Sequence, residues 1–297
     1  MSENVSVLLF VCSLVFFFSC EEEETLDFSE DKKLVLLSNF SPDSLLRVSL
    51  STTIAINGAF GTTTNYPNDA VVEFFEDGIF KEQLSYHSGN DLIAPFYFSN
   101  FNPKIESNYL LQAKVNDFRE IESRGKVPPV VNIQSLSLTD STVVEDANIL
   151  GRLIYNLSVE LLLENILDTT QYFHLKAYRF INGKTRACNL STAEGTGTPL
   201  LHESGVLLRS SDFQQGELNV GIDFIFNENI ESKSPIYLEL RHTEENYYRF
   251  HKSIGEQEAF SANQSVFSSE VFFIYNNVEN GLGNFSGYSA VLDSLLF

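Results

Sequence analysis

The sequence contains no Trp, and Met1 is its only methionine. Without Trp, the commonest aromatic platform for a sugar ring is missing. Basic residues are scarce: 19 Lys+Arg stand against 40 Asp+Glu, a formal charge of −21. Nothing here could neutralise a phosphate backbone, so nucleic acid is excluded as a partner. A polybasic membrane patch is excluded for the same reason. Cysteine is limited to Cys12, Cys20 and Cys188. If the first two belong to an export signal, Cys188 is alone and no intrachain disulfide forms. No run after residue 18 approaches the about 18 apolar residues of a membrane helix.

Motifs of catalysis and ligation are also missing. His87, His174, His202, His242 and His251 make neither His-Glu-x-x-His nor a zinc-spaced His/Cys cluster. There is no Gly-x-Ser-x-Gly elbow and no Ca²⁺ loop. Gly195-Thr196-Gly197-Thr198-Pro199 is no dinucleotide loop, because Pro199 and a missing third glycine break it. The expectation is no catalytic residue, no metal site and no cofactor. Tyr66, Tyr86 and Tyr97 are candidate sugar-facing aromatics, with partly buried core positions as the commoner alternative.

What the chain does have is apolar mass. Hydrophobic residues make up 43%, with 26 Phe and 12 Tyr, which suits a globular, β-rich protein. Residues 5–18 form an uncharged, mostly apolar stretch with the length of a secretory signal core. It ends in Phe17-Phe18-Ser19-Cys20, which resembles a bacterial lipobox and makes Cys20 the expected lipidation site. Phe17 stands where Leu is preferred, and the segment before the stretch has no Lys or Arg. A plain cleaved signal is the alternative. Glu21, Glu22, Glu23 and Glu24 follow at once, then Asp27, Glu30 and Asp31, with no base before Lys32. Such a run repels itself and reads as a solvated tether. It also resembles the surface-export signal of Bacteroidota lipoproteins.

From Lys32 onward, short β-runs alternate with turn chemistry. Leu34 to Leu37, Leu46 to Leu50, Ala70 to Phe75 and Tyr109 to Val115 read as strands. Glu76-Asp77-Gly78 reads as the turn of a hairpin returning through Phe80 to Tyr86. Val127-Pro128-Pro129-Val130 is the boundary candidate, since two prolines stiffen the chain and cannot donate to a ladder. Beyond it, Val131 to Leu138, Gly151 to Leu163, Tyr172 to Phe180, Leu218 to Phe226 and Ile236 to Arg241 read as strands. His174 and Lys176 are expected on a solvated sheet face. Thr243 to Phe260 is the one helix candidate, with Thr243 as N-cap and Gly255 as a weak point. Val271 to Tyr275 reads as a buried strand, Asn280 to Tyr288 as a Gly/Asn loop, and Ser289 to Phe297 as a final strand. The expected fold is all-β: two tandem β-sandwich (immunoglobulin-like) domains with one short helix in the second. The expected divisions are a signal (1–19), a tether (20–31), a first sandwich (32–126) and a second (127–297).

Asn277 to Tyr288 resembles the C-terminal signature of the DUF4249 family, in Gly281, Leu282, Gly283, Phe285, Gly287 and Tyr288. The order of features agrees: lipobox, hairpin at Glu76-Asp77-Gly78, Val-Pro junction, and a segment around Tyr247-Tyr248. The resemblance implies a Bacteroidota outer-membrane lipoprotein of unknown function, often encoded near TonB-dependent receptors. It supplies no catalytic residues. The expectation is therefore a lipid-anchored binding or accessory module facing the cell exterior, with a TonB-dependent receptor as partner and an unknown ligand. The alternatives are an adhesive subunit that donates Ser289–Phe297 to a neighbour, and a hydrolase with a site assembled from distant strands.

Overall fold

Alternation of apolar and polar residues dominates the chain, and the computed structural model turns it into strands. It describes residues 32–54, 64–164, 169–193, 196–212, 216–263 and 273–297. Cys20, the acidic run, residues 55–63 and the start of the Val271 segment lie outside these residues.

The first part contributes β1 (Leu34–Phe40), β2 (Arg47–Thr52), β3 (Val71–Glu76), β4 (Ile79–Gln83), β5 (Ser85–His87), β6 (Phe96–Phe98), β7 (Asn108–Lys114) and β8 (Ile121–Lys126). The second contributes β9 (Ile133–Glu145), β10 (Arg152–Leu163), β11 (Tyr172–Ile181), β12 (Lys184–Ala187), β13 (Asn189–Thr192), β14 (Thr198–Pro199), β15 (Val206–Arg209), β16 (Glu217–Asn227) and β17 (Ile236–Thr243). The helix α1 (Glu245–Asn263), β18 (Val278–Glu279) and β19 (Leu282–Leu295) complete it.

A ten-stranded sheet runs in the order β14-β15-β11-β17-β19-β1-β2-β6-β5, with β12 beside β11. Two smaller sheets, β18-β8-β7-β3-β4 and β13-β16-β10-β9, close its two halves into sandwiches. One core holds residues from Leu34 to Val127 together with Val278 and Phe285. The other runs from Val131 to Leu295. Both smaller sheets show the alternation of a sheet with one buried face, as in β7 and β16.

The seam is β19. From Leu282 to Gly287 it pairs parallel with β1, and from Tyr288 to Leu295 antiparallel with β17. Its glycine-rich start is therefore strand, where the sequence read a loop. Gly283 explains the difference. Its φ is 121°, and a Cβ there would strike the Leu36 carbonyl on β1. Glycine is what lets the two backbones meet in that geometry.

Other departures have local causes. The return of the hairpin divides: Asp77 and Gly78 both take positive φ, as a two-residue turn requires. Leu84 is then buried, and β5 leaves β4 to pair with β6 in the other sheet. β9 is longer than read, with a register shift opposite Ser158 and Val159. The helix starts one residue later than expected. Thr243 ends β17, and the Glu244 carbonyl accepts from Tyr248 N–H (3.2 Å). Gly255 does not break α1. A Cβ there would come within 2.8 Å of Leu200 Cδ2, so the glycine admits the chain after β14. The expected buried strand at Val271 to Tyr275 is absent over residues 273–275, and Phe273 is 90% exposed.

Candidate functional site

α1 lies on the outer face of the ten-stranded sheet, against β11, β14 and β19. Its Tyr247 and His251, four residues apart, face inward and are buried, with Tyr248 and Phe250 beside them. They cover His174, which is buried rather than on a solvated face. The period-2 reading of β11 was right about the face and silent about the helix on top of it.

Most of the buried polar groups under α1 satisfy one another, while Asn284 Oδ1 has no partner among the described residues. His174 Nε2–H donates to the Ser204 carbonyl (2.8 Å), leaving Nδ1 to accept from the Tyr247 hydroxyl (2.8 Å). Arg241 Nη1 donates to that hydroxyl (3.3 Å), and Nε donates to Glu239 (2.6 Å). The Arg241 guanidinium also covers the Tyr288 ring at 4.5 Å. Burial, with the Arg241 and Lys176 charges, pushes the His174 pKa well below its ordinary value. Glu203 meets Lys176 at 3.2 Å and Arg241 at 3.7 Å. Burial would raise its pKa, but Lys176, His251 and Arg241 outweigh it and hold the carboxyl below the usual range.

A chain of hydrogen bonds leads from the rim inward. Glu258 accepts from His202 Nδ1 (3.1 Å), and His202 Nε2 meets His251 Nδ1 (2.9 Å). Asn39 Nδ2 donates to His251 Nε2 (2.9 Å), while Asn39 Oδ1 accepts from Asn284 Nδ2 (2.9 Å). Donor and acceptor roles fit one arrangement throughout: His251 donates from Nδ1 to His202 Nε2, and His202 donates from Nδ1 to Glu258. The imidazoles stack at 5.2 Å. Burial is the main cause that lowers the His251 pKa to about 4, with His202, Arg241 and Lys176 adding to it against Glu203. The histidine lone pairs are thus spent on a neighbouring ring and an amide.

This chain forms one wall of a cleft of about 480 Å³, within the usual range for a ligand site. Leu37, Asn39, Arg47 and Ser49 on β1 and β2 form its floor. Ile93 to Phe96 form one side, and His202, Glu203, Phe250, His251 and Ile254 the other. A second hollow of about 460 Å³ lies where α1 begins, between Tyr109, Lys126 and Glu244. There the Glu244 carboxylate accepts from Lys126 N (2.5 Å), Gly287 N (3.2 Å) and Asn246 Nδ2 (2.6 Å). Burial nevertheless raises its pKa to about 7.

The residues singled out from the sequence distribute as follows. Gly283, Phe285 and Gly287 face the first core, where Phe285 packs on Phe40 at 4.5 Å. Asn284, Ser286 and Tyr288 face the polar layer under α1. Gly281 packs against Leu34 and Ile121, and Leu282 is partly exposed at 37%. Tyr97 is core, its hydroxyl donating to the Pro67 carbonyl (2.8 Å). Cys188 is buried, which raises its thiol pKa to about 11. Arg47, His202, Glu203, His251 and Asn284 were not picked out as a group. Of these, only Asn284 falls in a stretch the sequence singled out, the Gly/Asn segment Asn280 to Tyr288.

Among the described residues, no three His, Cys, Asp or Glu side chains converge as a metal site. No helix among them is long and apolar enough to cross a membrane. No curated protein matches the chain. A comparison with protein families matches residues 18–292 to the family described as "Domain of unknown function (DUF4249)". With most of its length matched, this chain belongs to the DUF4249 family.

Proposed function

We propose that this protein is a cell-surface, outer-membrane lipoprotein that acts as a binding or accessory module, with a TonB-dependent transporter or its ligand as partner. The observation that carries the binding reading is the preformed cleft over the seam between the two sandwiches, walled by strands and α1. Rigid walls reduce the ordering cost of binding. In the cleft wall, His251 is bonded to His202 and Asn39, which ties α1 to the loop after β14 and to β1. The address rests on the sequence: Cys20 at the end of an apolar stretch, followed by Glu21 to Glu24. Strand donation by Ser289–Phe297 takes second place. The donated segment is paired with β17 from Ser289 to Leu295 and carries Val291, Leu295 and Phe297 into the second core, so releasing it would open that sandwich.

The test is protease shaving of intact cells combined with crosslinking. Loss of the protein from shaved cells, and co-purification with a large barrel from solubilised outer membrane, are the expected results. Protection from protease, or a solitary monomer in native membranes, would count against the proposal.

A further inference from the structure

The cleft has a chemical bias that its walls make explicit. Leu37 and Ile93 line it while remaining 43% and 47% exposed, and Phe96, Phe250 and Ile254 add apolar surface. Its charges are unequal in their state. Glu203 is matched by Lys176 and Arg241. Glu258, at the rim, is taken up by His202 and the Leu201 N–H. Arg47 is different. Its guanidinium lies over the Phe96 ring at 5.0 Å, and among the described residues it has no carboxylate partner. In a chain with 40 acids and 19 bases, an arginine without a carboxylate in a cleft is a selective feature. Stacking holds the planar fork while leaving its edge free for two parallel hydrogen bonds.

We infer that the cleft binds an amphipathic carboxylate, with its anionic end on Arg47 and its apolar part against Leu37, Ile93 and Phe96. The inference rests on reading the cleft as a binding site and adds the class of ligand. An ammonium would meet Arg47 with like charge. A neutral amphiphile would leave the fork unfilled.

Calorimetric titration of the full chain with octanoate, octanol and octylammonium tests this. Octanoate should bind at one saturable site, at least about tenfold tighter than either of the others, as expected for a charge-assisted bidentate contact. Arg47→Gln should reduce octanoate to the level of octanol. Arg47 is exposed, and an unchanged thermal midpoint would show that the variant still folds. Leu37→Asp should weaken octanoate through the apolar floor instead. Octanol or octylammonium binding as tightly as octanoate, or an unaffected Arg47→Gln, would overturn the ligand class and leave the cleft as a binding site. If none of the three probes binds, both fail.

Discussion

At the scale of single residues, two titratable groups, His251 buried and Glu244 half-buried, pull stability in opposite directions with pH. His251 is held neutral, with its pKa lowered to about 4, chiefly by burial. In the unfolded chain it would take up a proton near pH 6.5. Stability from this group is therefore complete above pH 6.5 and is lost as the pH falls towards 4. We expect His251→Gln to flatten that loss, by up to about 1.4 kcal/mol per pH unit, as read from urea midpoints across the window. Glu244 has the opposite sign. Its folded pKa is about 7, mainly through burial, above its unfolded value of 4.5. Its contribution is full below pH 4.5 and falls as the pH rises to 7. Glu244→Gln keeps an acceptor for Lys126 and Gly287, and should gain stability over wild type at pH 8 but not at pH 4.5. An unchanged difference between the two pH values would contradict this account. Neither group was legible in the sequence. A glutamate ahead of a helix and a histidine within it are ordinary, and only burial beneath neighbouring elements changes their chemistry.

At the scale of elements, β19 and α1 carry most of what the site needs. Two properties of β19 are visible in its sequence, its alternation and its glycines. What alternation could not reveal was the partner on each side. Gly283 meets β1, so Gly283→Ala should cost several kcal/mol, roughly the range for strain at a special backbone position. Chemical denaturation would measure it, and a change under about 0.5 kcal/mol would show that β1 and β19 can separate cheaply. α1 was readable from its spacing and its acidic start. The face it hides was not. The side of β11 bearing His174 and Lys176 looks polar in one dimension, and it becomes an interior because a helix covers it.

At the scale of the molecule, the ten-stranded sheet makes the two sandwiches share a wall. Lys32–Thr53 and Thr63–Phe297 form one compact unit. Val278 on β18 and Phe285 on β19 supply the first core from far along the chain, while Val291 and Leu295, also on β19, serve the second. Unfolding should therefore show one cooperative transition, with probes in either core reporting the same midpoint. Two separated transitions would mean that each sandwich stands alone. The sequence by itself determined the β class, the helix at Glu245–Asn263 and the alternation of most strands, because these follow from local periodicity and turn chemistry. It singled out Asn280 to Tyr288 only as a Gly/Asn loop and a family signature. Only the tertiary structure decided that this segment is a shared strand, that α1 seals a polar layer, and that Arg47, His202 and His251 border one cleft. Those facts depend on contacts between residues up to more than 200 positions apart, such as Asn39 with His251 and Asn284. Periodicity along the chain carries no information about such pairs.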